Sequence, residues 1–252
     1  MGEFEGKIAL ITGGNAGLGR AAAEAFAREG AKVVFTARRE ELGREVEGSI
    51  RATGGDATFI RADVTSEDDV KALVERTLSI HGRLDYAYNN AWGALRASSL
   101  VEMTAESFDR DLAFLRAIFF CMKYEIPAIA ASGGGAIVNC SSLASQSVQP
   151  GLGAYSAAKA GLEALTRTAA VESAAKNIRV NAIVAGAFET AMAAEYAQQL
   201  PQEALGALFA RLPMKRMGRP AELADAVLFL CSDRAAFITG ANLQLDGGFR
   251  IT

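Results

Sequence analysis

The chain of 252 residues contains one histidine, three cysteines, five prolines and one tryptophan. Each scarcity removes a class of chemistry. A zinc site usually gathers about four His and Cys ligands. His81, Cys121, Cys140 and Cys231 are too widely spaced to supply them, so no metal is expected. No C-x-x-C pair occurs and three cysteines cannot all pair, which speaks against a disulfide framework and for a reducing interior. A Ser-His-Asp hydrolase would have to use His81. That residue lies in Ser79-Ile80-His81-Gly82-Arg83, which reads as a solvated helix end where a partial positive charge suits the helix dipole. An excess of one charge is also missing. Lys+Arg total 26 and Asp+Glu total 29, a formal net charge of −3, which leaves no electrostatic footprint for nucleic acid or an anionic membrane. No apolar run approaches the roughly 18 residues of a membrane helix, and the run from Leu112 to Met122 is broken by Arg116. The opening Met1-Gly2-Glu3-Phe4-Glu5-Gly6 lacks the basic start and long apolar stretch of a signal peptide, so a cytoplasmic protein is expected.

What is present is a globular composition: 50% apolar, 22% charged, and 25 glycines. One domain spanning 1–252 with a large core is expected. Short β-rich runs alternate with longer helical patterns. Strands are predicted at Lys7–Thr12, Lys32–Thr36, Ala57–Arg61, Leu84–Tyr88, Ala136–Cys140, Ile178–Val184 and Leu243–Leu245. Helices are predicted at about Leu18–Glu29, Glu40–Ala52, Ser66–Ile80, Ser107–Ala131 (with a break in it), Ala154–Ala175 and Ala221–Cys231. An irregular stretch is predicted up to Met217. This alternation means βαβ units, a parallel sheet and helices on both faces: a doubly wound, Rossmann-type α/β domain.

Two patterns carry chemistry. Thr12-Gly13-Gly14-Asn15-Ala16-Gly17-Leu18-Gly19 follows the first strand and opens the first helix. Glycines there allow a tight turn and close approach to a pyrophosphate, and the helix N-terminus offers it free N–H groups. At the end of the second strand an acid would accept from the ribose 2′-OH of NAD(H). Instead Arg38 and Arg39 stand there, and guanidinium forks match a 2′-phosphate, so NADP(H) is favoured over NAD(H). The second pattern is Tyr155-Ser156-Ala157-Ala158-Lys159 at a helix start, with Ser142 just past the fifth strand. Residues four apart share a helix face, an ammonium beside a phenol lowers its pKa, and a tuned phenol can give or take a proton.

Joint order and spacing extend these patterns. Thr12-Gly13-x-x-x-Gly17-x-Gly19, Asp63, Asn89-Asn90-Ala91, Ser142, Tyr155-x-x-x-Lys159, Arg179-Val180-Asn181-Ala182 and Asp246-Gly247-Gly248 stand in one sequence. Over essentially its whole length it resembles the short-chain dehydrogenase/reductase family, of the classical type. The resemblance implies ketone and secondary alcohol interconversion by hydride transfer. It implies Tyr155 as general acid/base, Lys159 as the residue that lowers its pKa and holds the nicotinamide ribose, and Ser142 as the group polarising the substrate oxygen. It implies cofactor contacts from Gly13, Asn15, Gly17, Leu18 and Gly19 of the turn. Asp63 and Val64 would meet the adenine, Asn90 and Ala91 the ribose, and Gly186, Phe188 and Thr190 the nicotinamide end. Asp246-Gly247-Gly248 matches a subunit contact, which makes a homotetramer the expectation.

Three departures from the family pattern stand out. Trp92 replaces the glycine of Asn-Asn-Ala-Gly, either projecting outward or walling the substrate cleft. The family's fourth catalytic residue, an Asn that holds a water relaying protons to the Lys, is missing, and Phe114 or Leu115 takes its place. Asp111 is a nearby polar substitute. Ala185-Gly186 replaces Pro-Gly and loosens a turn. The segment 187–212 is expected to form a lid, apolar through Phe188, Met192, Tyr196, Leu200, Leu208 and Phe209, and so to select a small hydrophobic carbonyl or alcohol. A basic dock for an acyl carrier is lacking in Ile126–Ile137. Two competing readings are a dinucleotide-binding protein with little catalysis and a lyase or isomerase on the same scaffold.

Overall fold

The computed structural model describes residues 2–252. Runs rich in β-branched and aromatic residues become strands because such side chains fit a pleated, buried surface. They are β1 (Ile8–Thr12), β2 (Lys32–Ala37), β3 (Asp56–Arg61), β4 (Tyr86–Asn89), β5 (Gly135–Ser142), β6 (Ile178–Ala185) and β7 (Asn242–Leu245). Between them lie α1 (Gly17–Arg28), α2 (Glu40–Ala52), α3 (Glu67–His81), α4 (Ala105–Ala131) and α5 (Gly153–Ser173). After β6 come α6 (Ala191–Ala197), α7 (Gln202–Ala210) and α8 (Pro220–Cys231). The strands form one sheet in the order β3-β2-β1-β4-β5-β6-β7, with every pairing parallel. The expected doubly wound domain is therefore present.

Alternate residues of each strand feed two cores. On one face Ala9, Ile11, Val33 and Phe35 pack with Phe26 of α1, Val46 of α2 and Val227 of α8. On the other Ile8, Leu10 and Val34 pack with Leu73 of α3, Ile118 of α4 and Leu162 of α5. Burying side chains of this size contributes about 1.5–3 kcal/mol each, so the two layers hold the strand ends in fixed register. Thr12 pairs level with Asn89, which sets the ends of β1 and β4 side by side. The chain reverses direction across the sheet at that point, and the crevice outside these strand ends is where an open α/β sheet binds ligands.

Several local readings change. Helix α4 runs unbroken through Pro127 and starts at Ala105, where the Thr104 side chain accepts from the Ser107 N–H. The stretch expected to be irregular holds α6 and α7; Thr190 caps the first by accepting from the Ala193 N–H. Its alanine-rich sequence carries little 3.6-residue contrast, which hid both helices. Ser142 is the last residue of β5 rather than past its end. His81 does end α3, ahead of Gly82 in the left-handed region. It is half-buried, however, and burial lowers its pKa, which works against the expected positive charge on the dipole. No helix among the described residues is long and apolar enough to cross a membrane.

A polar girder runs behind the strand ends. Asn89 Nδ2 donates to Glu125 of α4 at 2.8 Å and to Asn139 of β5 at 3.1 Å. Asn139 in turn donates to Thr166 of α5 at 3.0 Å. Glu125 is 1% exposed, and burial pushes its carboxyl up to about 7. A raised acid pKa favours the protonated folded state, so stability present below the unfolded value is lost as pH rises through about 7. Glu125→Gln should therefore gain thermal stability relative to the parent between pH 5 and pH 8, by on the order of 2 kcal/mol at the upper end, read from paired melting curves.

Candidate active site

The glycine turn forms the first wall of the crevice. Gly13 has φ +70°, a left-handed value that favours glycine, and its N–H and that of Gly14 donate to the Thr36 carbonyl. A Cβ on Gly19 would stand 2.3 Å from the Gly13 carbonyl oxygen, so that position admits no side chain. Ala16 begins α1 without a side-chain cap, which leaves the first N–H groups of the helix free of side-chain partners. Asn15 Nδ2 is buried there without a partner. Uncapped N–H groups and an orphaned amide fit the pyrophosphate of a dinucleotide. Gly17 and Leu18 line the same wall.

The other expected cofactor residues gather along one rim. Arg38, at the start of the β2–α2 connection, and Arg39, which begins α2, line the crevice. Arg38 approaches Asp63 at 4.0 Å. Asp63 accepts from the Thr65 N–H and hydroxyl, which fixes its turn, and Val64 is buried beside it. Further in, Thr12, the first residue of the glycine pattern, is an organiser whose role the spacing did not reveal. Its hydroxyl oxygen accepts from the N–H groups of Asn90 and Ala91 at 3.0 and 3.1 Å, while Asn90 Nδ2 donates to the Thr12 carbonyl. Gly186 follows β6, and a Cβ there would meet Asp246 Cα at 2.7 Å. That position admits no side chain, which keeps the Gly186 backbone against Asp246. Phe188 is buried, and its backbone bridges to Gly218. Thr190 caps α6 at the mouth of the crevice.

Ser142, Tyr155 and Lys159 meet on the floor. The end of β5 presents Ser142, whose Oγ accepts from the Ala144 N–H. One turn of α5 separates Tyr155 from Lys159. The Lys159 ammonium is 3% exposed and donates to the Cys140 carbonyl at 2.6 Å. Burial lowers its pKa to about 8, against the pull of Cys140, Asp111 and Glu163. The phenol of Tyr155 is raised well above its ordinary value by burial, which the neighbouring Ser142 hydroxyl opposes. The expected lowering by Lys159 is not what the site displays: the ammonium stands 5.7 Å from the Tyr155 ring centroid and is turned to Cys140.

One group escaped sequence reasoning in its role, and one open alternative is decided. Glu163, one turn beyond Lys159, is buried and accepts from Ser141 Oγ (2.7 Å), Ser145 Oγ, Gln146 Nε2 (3.1 Å) and Asn242 Nδ2 (2.7 Å). It fixes the segment after Ser142 from behind. Its helical spacing from Lys159 was the available signal. Trp92 does not project outward. It stacks on Phe114 at 5.2 Å and meets Tyr155 edge-on at 5.4 Å. Of the two residues offered for the missing Asn, Phe114 lines the crevice, whereas Leu115 packs near Gly161 of α5. Asp111 is largely buried, and its charge reaches Lys159.

Helices α6 and α7 close the far side. All six apolar lid side chains, from Phe188 to Phe209, line a cleft of about 1100 Å³. The lid is tied across the mouth: Gln199 Nε2 donates to the Leu95 carbonyl and its Oε1 accepts from the Ala97 N–H.

Comparison with known proteins agrees with this geometry. A family model described as Enoyl-(Acyl carrier protein) reductase matches residues 13–250. Cis-4-hydroxycyclohexanecarboxylate dehydrogenase of Sinomonas cyclohexanicum is 39% identical over 251 residues, 99% of each chain. Cyclohexanol dehydrogenase of an Acinetobacter strain is 38% identical over 249 residues, 98% of this chain and 96% of its own. The crystal structure of levodione reductase superposes with a TM-score of 0.95 at 32% identity, covering 99% of both chains. With the glycine turn, the Ser-Tyr-Lys floor and near-complete likeness in sequence and fold, the chain belongs to the short-chain dehydrogenase/reductase family of oxidoreductases.

Proposed function

We propose that the protein interconverts a hydrophobic ketone and its secondary alcohol, with NADP(H) preferred over NAD(H). The observation that carries this reading is the convergence of Ser142, Tyr155 and Lys159 between an uncapped helix N-terminus and an apolar lid. When bound, the nicotinamide supplies or takes the hydride at the substrate carbon. In the reducing direction Ser142 donates a hydrogen bond to the carbonyl oxygen and Tyr155 delivers the proton to it. A phenol raised by burial is protonated at neutral pH and suits that task. Lys159, still mostly cationic at pH 7, stabilises the phenolate left behind. Gly13, Asn15, Gly17, Leu18 and Gly19 would hold the pyrophosphate. Asp63 and Val64 would hold the adenine, Asn90 and Ala91 the ribose, and Gly186, Phe188 and Thr190 the nicotinamide end.

The lid favours a compact apolar substrate, in keeping with two relatives named for cyclohexane-ring alcohols. The family model's description names a carrier-linked substrate, yet Ile126–Ile137 offers no lysine or arginine to an acidic carrier. Free, buried Cys121, Cys140 and Cys231 suit a reducing cytoplasm. Exposed Phe119 of α4 and Val171 of α5 leave apolar surface for the homotetramer that the Asp246-Gly247-Gly248 segment implies. One observation favours a second reading, a dinucleotide-binding protein with little catalysis: Phe114 faces the floor where the family has its relay Asn. NADPH binding that saturates without turnover of any ketone would select it.

Three outcomes test the main reading. Tyr155→Phe should lower ketone reduction by at least about 100-fold while NADPH still binds, measured by NADPH oxidation and by fluorescence titration of the nucleotide. Replacing Arg38 and Arg39 together with alanine should raise the KM for NADPH by roughly tenfold and leave that for NADH nearly unchanged. Reduction should fall as pH rises through about 8, where Lys159 loses its proton, giving a single alkaline limb in kcat/KM.

A further inference from the structure

Trp92 is the only tryptophan in the chain, and it sits where the family pattern has glycine. The Lys159 Nζ lies 3.6 Å from the centroid of its ring, close enough for a strong cation–π contact. The indole is itself held on two sides, by the stacked Phe114 ring and by the edge-on Tyr155 ring. Gly93 makes room for this column, because a Cβ there would meet the Phe114 ring at 2.7 Å. Phe114, Trp92 and Lys159 therefore form one continuous stack from α4 to α5.

We propose that Trp92 is a positioning residue for Lys159: its ring face and the Cys140 carbonyl together seat the ammonium, in place of water. Every charged or titratable group around Lys159 is consistent with such a seat. From β5, the Cys140 carbonyl accepts one N–H at 2.6 Å, and the Cys140 thiol lies nearby. From α4, Asp111 acts through space, with no hydrogen bond to Nζ among the described residues. On α5, Glu163 is occupied by Ser141, Ser145, Gln146 and Asn242. Tyr155 of the same helix keeps its ring at a distance. The ring face thus compensates a desolvated cation without fixing it in a carboxylate bond. An ammonium has three donors; the carbonyl uses one and the ring face a second, which leaves one for a bound hydroxyl.

The inference rests on Tyr155 and Lys159 handling the proton, yet its first test needs no turnover. Because the chain has one tryptophan, its intrinsic fluorescence reports on the seat directly. In the purified full chain, without nucleotide or substrate, emission should change with an inflection near pH 8 as the cation beside the indole is lost. Lys159→Met, verified as folded by circular dichroism, should lack that inflection. A flat titration in the parent, or the same inflection in Lys159→Met, overturns the proposal.

The second arm uses the alkaline limb of the reduction rate. Trp92→Phe retains an aromatic face and should keep the limb at its parental pH. Trp92→Leu keeps the site dry without a ring quadrupole, so the cation is less favoured and the limb should move down by about one pH unit. Trp92→Gly admits water, relieves desolvation and should move the limb up toward the ordinary lysine range. Variants that lose activity equally without moving the limb would show a merely structural tryptophan and overturn the proposal. A fluorescence inflection in a protein that reduces no ketone would leave the seat standing and overturn the function instead.

Discussion

A buried ammonium must be compensated, and the candidate active site is arranged around that constraint. Lys159 is almost fully enclosed, so it loses the water that would stabilise its charge. A carboxylate in contact would repair the loss but would also lock the side chain into an ion pair. The protein instead supplies one carbonyl, one aromatic face and two carboxylates at a distance. Each of these comes from a structure whose position is fixed for another reason. The carbonyl belongs to the strand that ends in Ser142. The aromatic face belongs to the connection after β4, whose first residues are pinned to Thr12. The distant charges lie on α4 and α5. Lys159 therefore samples the register of the whole sheet edge.

That dependence explains why the polar core matters to a site it does not touch. Asn89, Glu125, Asn139 and Thr166 join β4, α4, β5 and α5 just behind the crevice. The same helices and strand carry Phe114, Cys140 and Lys159, and β4 leads directly into Ala91. A polar chain inside an apolar layer is costly unless every member is paired, and pairing demands a particular register. Hydrophobic packing brings the elements together; the polar chain selects the alignment at which the floor of the cleft is complete.

Much of this was legible in the sequence because it is local. The glycine turn, the strand–helix alternation and the one-turn spacing of Tyr155 and Lys159 depend on neighbours in the chain, and each was found where expected. The cap of α3 is local in the same way: the Ser66 oxygen accepts from the Asp69 N–H, three residues on. What escaped depends on distant partners. Whether Trp92 faced in or out turned on Phe114 and Tyr155, which lie on other elements. The choice between Phe114 and Leu115 needed the rotation of α4 about its axis, which its contacts with Trp92 and Gly161 fix and spacing along the chain does not. The phenol of Tyr155 was expected to be lowered by its neighbour four residues along, but spacing gives no measure of burial, and burial dominates. Helices α6 and α7 went unread because alanine gives almost no contrast between a buried and an exposed face.

Glu163 divides the cleft into parts that differ in how freely they can be exchanged. The carboxylate gathers donors from the end of β5, from the turn at Ser145 and Gln146, and from β7. Those segments share one acceptor, so a change in any of them leaves buried donors or a buried charge unmatched elsewhere. They can be transplanted between related proteins only as a set. The lid, by contrast, reaches the opposite rim chiefly through Gln199, a side chain that bonds main-chain atoms and asks little of the residues it meets. Residues 191–210 are thus the interchangeable cassette of the molecule, and 141–146 with 163 and 242 are its inheritable block.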